Sequence, residues 1–114
     1  MDPLTKWQFR FEDELHQAEL ARAAGNEGRA RVCARRAAGI VVGEYLHRRG
    51  LPSPGPSAYD RLMLISSLPD LSPALREIAQ HFLVRVTTDY TLPIQADLII
   101  EAHQLAEGLL GQIP

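Results

Sequence analysis

Residues 25–39 read GNEGRARVCARRAAG, with Arg29, Arg31, Arg35 and Arg36 set among small residues beside the chain's only cysteine, Cys33. Three uses are open to such a stretch: a grip on nucleic acid, a reactive-thiol site, or a helix built to pack closely. Turning ~100° per residue from Arg29 along a helix from about Glu27 to Arg49 puts Ala30, Cys33, Ala34, Ala37, Val41 and Tyr45 on one face. Arg31, Arg35 and Arg49 then gather on one flank, and Arg29, Arg36 and His47 on the other. The arginines do not form one stripe. The pattern predicts a buried alanine face that lets a neighbouring helix come near, with guanidiniums on both edges reaching water over apolar stems. Cys33, in the middle of that face, reads as a small hydrophobe rather than a nucleophile. Arg31 and Arg35, one turn apart, are the pair placed to meet a phosphate or carboxylates of a partner.

Outward from this helix the chain keeps a helical period. Trp7, Phe11, Leu15, Ala18 and Arg22 step by three and four residues, which predicts a helix from about Leu4 to Ala24, with Glu12, Asp13 and Gln17 outward and Asp2 or Thr5 as cap. Gly25-Asn26 stops it. Gly50-Leu51-Pro52-Ser53-Pro54-Gly55-Pro56-Ser57 cannot continue a helix and reads as a crossing loop. Tyr59, Leu62, Met63 and Ser66 mark a short helix ending before Leu68-Pro69. Asp70 or Ser72, ahead of Pro73, starts the next, whose apolar face is Leu75, Ile78, Ala79, Phe82 and Val86. It should weaken in the β-branched, polar run Thr87–Thr91. From Pro93 to Leu110, Ala96, Ile99, Ile100, His103, Ala106, Leu109 and Leu110 describe a last helix, with His103 expected as a hydrogen-bonded core residue.

No repeat, glycine-rich phosphate loop or credible strand interrupts this order. At 114 residues the chain is expected to be a single domain, 1–114, with one core. The expected fold is all-α: an antiparallel up-and-down bundle of four main helices plus a short extra one.

Composition narrows the chemistry. Twelve Lys+Arg against 14 Asp+Glu give a net charge of -2, so any attraction for a phosphate backbone must be local. One cysteine excludes an internal disulfide. His16, His47, His81 and His103 lie on separate helices without HxxxH or HExxH spacing, so no metal site and no cofactor is expected. Glu12, Asp13, Glu14 and Glu19 read as a solvated face. Ser66-Ser67 lacks a nucleophile-elbow setting. With no basic-then-apolar leader and no run near ~18 apolar residues, the expectation is a soluble, cytoplasmic protein without a membrane partner.

The order of elements carries a resemblance: a Trp/Phe-bearing first helix, an Ala/Arg-rich second ending in EYLHRRG, a proline-rich loop, a short Tyr-Asp-Arg-Leu helix, then LREIAQHFLVRVTTDYTLPIQADLIIEAHQLAEGLL. From about Leu4 to Leu110 the chain resembles the HEPN (higher eukaryotes and prokaryotes nucleotide-binding) family of compact helical bundles. The resemblance implies a homodimer that binds a partner protein such as a small nucleotidyltransferase, without enzymatic activity of its own and with a nucleotide role in support. The alternative it implies is a metal-independent ribonuclease acting on RNA. In that branch an Arg is followed a few residues on by a His; here Arg76-Glu77-Ile78-Ala79-Gln80-His81 has the spacing, although Glu77 is not the usual residue after the Arg. On a regular helix Arg76 and His81 point ~140° apart. The nucleotidyltransferase-associated branch carries an Arg-Tyr-Pro-Asp-like signature. Arg85, Asp89, Tyr90 and Pro93 share its residue types in another order, which makes Arg85, Asp89 and Tyr90 the candidate nucleotide- or partner-binding cluster beside Arg31 and Arg35.

Overall fold

The computed structural model describes residues 6–84 and 96–111. They form five helices and no strand: α1 (Lys6–Ala23), α2 (Glu27–Arg48), α3 (Ala58–Ser66), α4 (Pro73–Leu83) and α5 (Leu98–Leu110). The fold is the expected all-α bundle, and α3 is the short extra helix. Arg85, Asp89, Tyr90 and the proposed first-helix caps Asp2 and Thr5 lie outside the described residues.

The chain reverses between α1 and α2 because Gly25 takes φ +80°, a conformation that costs glycine little. Asn26 N–H then donates to Ala21 O (2.8 Å) and Gly25 N–H to Arg22 O (3.0 Å), the paired bonds of a Schellman stop. Asn26 also begins α2, its side chain accepting from the amide of Arg29 at 3.1 Å. The same stop ends α2, with Gly50 at φ +65° and Leu51 N–H bound to Leu46 O (2.9 Å). Ser57 caps α3, and Ser72 with Pro73 in the first turn caps α4, the latter as the residue types predict.

The long α2 packs against α1, α3 and α5, while α4 closes the bundle against α3 and α5. Its alanine face is buried as expected: Ala30, Ala34, Ala37 and Val41 are fully inaccessible and Cys33 nearly so. The period understated the burial, however. Ala38, Gly39, Ile40 and Val42 are buried too, so the middle of α2 meets neighbours on every side, as a central helix must. Phe11, Leu15 and Ala18 of α1, Leu62 and Ile65 of α3, Ala79 and Phe82 of α4, and Leu98, Ala102, Leu105 and Ala106 of α5 complete the core.

Four expectations are corrected. The helix foreseen from Pro93 begins at Leu98, because the Asp97 carboxylate accepts from the amides of Ile99 (3.1 Å) and Ile100 (3.3 Å) and so caps it there. Ile100, placed on the apolar face, is 54% exposed, and the buried face runs instead through Leu98, Ala102 and Leu105. His103 is exposed rather than a core residue, its ring packing edge-on to Phe11 at 5.7 Å. Met63 of α3 is also exposed.

Candidate functional site

The two residues that fit the ribonuclease spacing are held by different partners. Arg76, in the first turns of α4, turns its guanidinium back onto the end of α3. It donates to Ser66 O, to Leu68 O at 2.8 Å and to Leu71 O at 3.1 Å. These carbonyls close the α3–α4 turn, where a helix end leaves acceptors unsatisfied. Arg76 is therefore a capping arginine. His81, one and a half turns on, places Nδ1 2.7 Å from Glu101 Oε1 of α5. With an ionised carboxylate accepting, Nδ1 carries the proton. Nε2 faces Glu77 Oε1 at 3.9 Å. Both members of the His81–Glu101 pair are mostly shielded from water, with side chains 23% and 15% exposed. The pair ties α4 to α5 and does not bring the imidazole to Arg76.

Arg31 and Arg35 are half-buried on α2. The Nε of Arg35 is inaccessible and has no hydrogen-bond partner among the described residues. Two cations at the end of α2 are engaged within the fold. Arg49 donates to Asp70 Oδ2 at 2.8 Å and to the Tyr45 hydroxyl at 2.9 Å. Arg48 pairs with Glu44 at 2.8 Å and lies over the Trp7 ring.

Arg22 closes a three-helix junction. Its guanidinium binds both oxygens of Glu27, at 3.0 and 2.8 Å, and both of Asp97, at 3.1 Å each. The hydrogen bonds that Arg22 donates to Glu27 and Asp97 outweigh the effect of burial and raise its pKa above the ordinary value. Glu27 is held below the usual carboxylate range, first by its hydrogen bond to Arg22. Burial alone would raise Asp97, but the Arg22 hydrogen bond and the Ile100 and Ile99 amides prevail and lower it.

A different set of arginines lines a concavity. Arg10 and Glu14 of α1, Arg36, Gly39 and Ile40 of α2, and Pro56, Ser57, Ala58 and Arg61 at the start of α3 enclose about 350 Å³. The construction depends on two glycines one turn apart in α2. A Cβ at Gly39 would fall 2.5 Å from Ala58 Cβ and 2.8 Å from its Cα, and one at Gly43 would fall 2.6 Å from Arg61 Nη1. The missing side chains let α3 begin directly against α2 and leave a slot for Arg61. There Arg61 donates through Nε to Gly55 O (2.8 Å) and through Nη1 to Gly39 O (3.1 Å). Burial and then the Arg10 charge lower the Arg61 pKa. Among the described residues, Arg10, Arg36 and Arg61 have no carboxylate within ion-pairing distance, Glu14 included. Three positive groups thus share a concave wall with one negative one.

This arginine cavity was not singled out from the residues. Arg36 read as one flank of α2, and nothing in the pattern of α1 set Arg10 apart. The Gly39–Gly43 spacing beside a proline-rich loop was the one signal pointing to a close approach. Among the described residues no group of His, Cys, Asp and Glu assembles as a metal site, and no helix is long and apolar enough to cross a membrane. No family model, curated protein or solved structure matches the chain.

Proposed function

We propose that the chain is a non-enzymatic HEPN-like helical module that acts as a homodimer and binds a partner protein, a small nucleotidyltransferase being the partner the resemblance favours, with nucleotide binding as an accompanying property. The observation that carries the non-enzymatic reading over the ribonuclease one is the engagement of Arg76 with three main-chain carbonyls while His81 is held by Glu101. A guanidinium that satisfies a helix end has few donors left for a scissile phosphate. Support for a protein partner comes from α1, where Phe9 and Leu20 are 56% and 51% exposed. Eleven residues apart, they fall within ~20° of each other around the helix. Covering each would stabilise a complex by roughly 1.5–3 kcal/mol before the costs of association.

Light scattering of the purified chain is expected to give a dimer mass, and Phe9→Glu with Leu20→Glu to give a monomer that stays helical by circular dichroism. A monomer at all concentrations removes the dimer. Co-expression with a small nucleotidyltransferase encoded beside it is expected to yield a stoichiometric complex, and separate elution removes that partner. Incubation with single-stranded RNA is expected to leave it intact, whereas cleavage lost on His81→Ala would establish the ribonuclease instead.

A further inference from the structure

We infer that the cavity between α1, α2 and the start of α3 is a binding site for a phosphate monoester, held by Arg10, Arg36 and Arg61 with the Ser57–Ala58 end of α3. This goes beyond the partner-binding reading and does not depend on it. Three guanidiniums and a single carboxylate line about 350 Å³, and among the described residues none of the three has a counter-ion within ion-pairing distance. Like charges gathered with a single carboxylate repel one another, and the Arg61 pKa is lowered by burial first and then by the Arg10 charge. An anion entering the cavity would relieve that repulsion.

The arrangement suits a compact dianion. Arg61 is already oriented, because two of its donors are committed to Gly55 O and Gly39 O, so little side-chain entropy remains to be lost when its other donors meet an oxygen. Arg10 and Arg36 are exposed and free to close over a ligand from the two opposite helices. Arginine forks match the oxygens of a phosphate in pairs. The α3 N-terminus adds to the same field, since Ser57 caps the Asp60 amide while the first-turn amides have no intrahelical acceptor. Against three cations the excess of two positive charges left by Glu14 balances a monoester dianion better than a phosphodiester. Ile40, Pro56 and Ala58 supply an apolar wall for the esterified group.

Isothermal titration of the purified chain with inorganic phosphate, AMP and adenosine tests the assignment. Saturable one-to-one binding of phosphate and AMP is expected, with no binding of adenosine. The double variant Arg10→Ala/Arg36→Ala, both positions exposed, is expected to keep its melting temperature and lose affinity about tenfold or more, whereas Arg29→Ala, outside the cavity, should bind as the parent does. Absence of saturable phosphate binding overturns the site, as does an unchanged double variant or an equal loss in Arg29→Ala. An RNA oligonucleotide with unphosphorylated ends that displaces AMP more effectively than phosphate does, and with the same variant dependence, overturns the monoester assignment in favour of a phosphodiester chain. Each result is independent of whether the chain is a dimer.

Discussion

The guanidinium of Arg61 occupies the space that a side chain at Gly43 would need: a Cβ there would lie 2.6 Å from Nη1 and 2.9 Å from Cζ. The absence of one methyl group on α2 thus decides where a charge on α3 sits, and that charge in turn holds the carbonyls of Gly39 and Gly55. Sequence, packing and the cavity's electrostatics meet in this pair.

Gly43→Ala and Gly39→Ala should therefore behave differently. At Gly43 the obstacle is the far end of a flexible side chain, which can swing out. The gain in helix propensity of about 1 kcal/mol then roughly offsets the lost hydrogen bonds, and thermal unfolding should change little while phosphate binding weakens. At Gly39 the obstacle is Ala58 Cα and Cβ, so α3 itself must move, at a cost of about 1–3 kcal/mol. A Gly39→Ala melting temperature equal to the parent's would contradict this packing.

Arg76→Ala removes a donor from the carbonyls of Ser66 and Leu71 at the α3–α4 turn, while Leu68 O keeps the Leu71 amide. Loss of about 2–3 kcal/mol is expected by urea unfolding. Arg76→Lys should recover only part of it, since a single ammonium cannot reproduce the planar fork. Full recovery with lysine would mean that charge alone matters at this position.

The Arg22 junction predicts acid sensitivity. Glu27 and Asp97 both have folded pKa values below their unfolded ones, so their contribution is fully present above the unfolded values and is lost as pH falls through the folded ones. The side chains are 37–42% exposed, and solvent screening limits the whole effect to about 1 kcal/mol. The stability difference between the parent and Arg22→Ala, measured by urea unfolding, should shrink from pH 6 towards pH 3. A difference that stays constant with pH would show that Arg22 acts by packing instead.

His81→Ala should loosen α4 from α5 by removing the 2.7 Å contact with Glu101. A loss of about 1 kcal/mol is expected, together with faster amide exchange in α4 than in α1. Unchanged exchange in α4 would remove this tie from the account of the bundle.

Several of these features were legible before any coordinates. Ser72-Pro73, Gly25-Asn26 and the alanine face of α2 announce themselves because caps, stops and helical periods are local properties of the backbone, set within a turn or two. The misplaced start of α5 shows the limit: the helical pattern was read from Pro93, whereas the helix begins after Asp97, whose carboxylate caps it and also receives Arg22 from α1. His103 and Ile100 were assigned to the core for a related reason. Periodicity gives the relative phase of residues on a helix but not which phase meets a neighbour.

What the residues determined unaided was the all-α class, the order of the helices and the separation of the α2 arginines onto two edges, since each follows from hydrogen bonding and side-chain direction over short spans. Only the tertiary packing decided which arginines are consumed by structure and which remain to act. Arg22 and Arg49 find oxygens contributed by distant segments and Arg76 those of the turn before it, whereas Arg10, Arg36 and Arg61, drawn from three helices, converge on a cavity where none of them has a carboxylate within ion-pairing distance among the described residues. A guanidinium's role depends on what lies within a few ångströms of it, and for charges so far apart along the chain that neighbourhood exists only once the helices are packed.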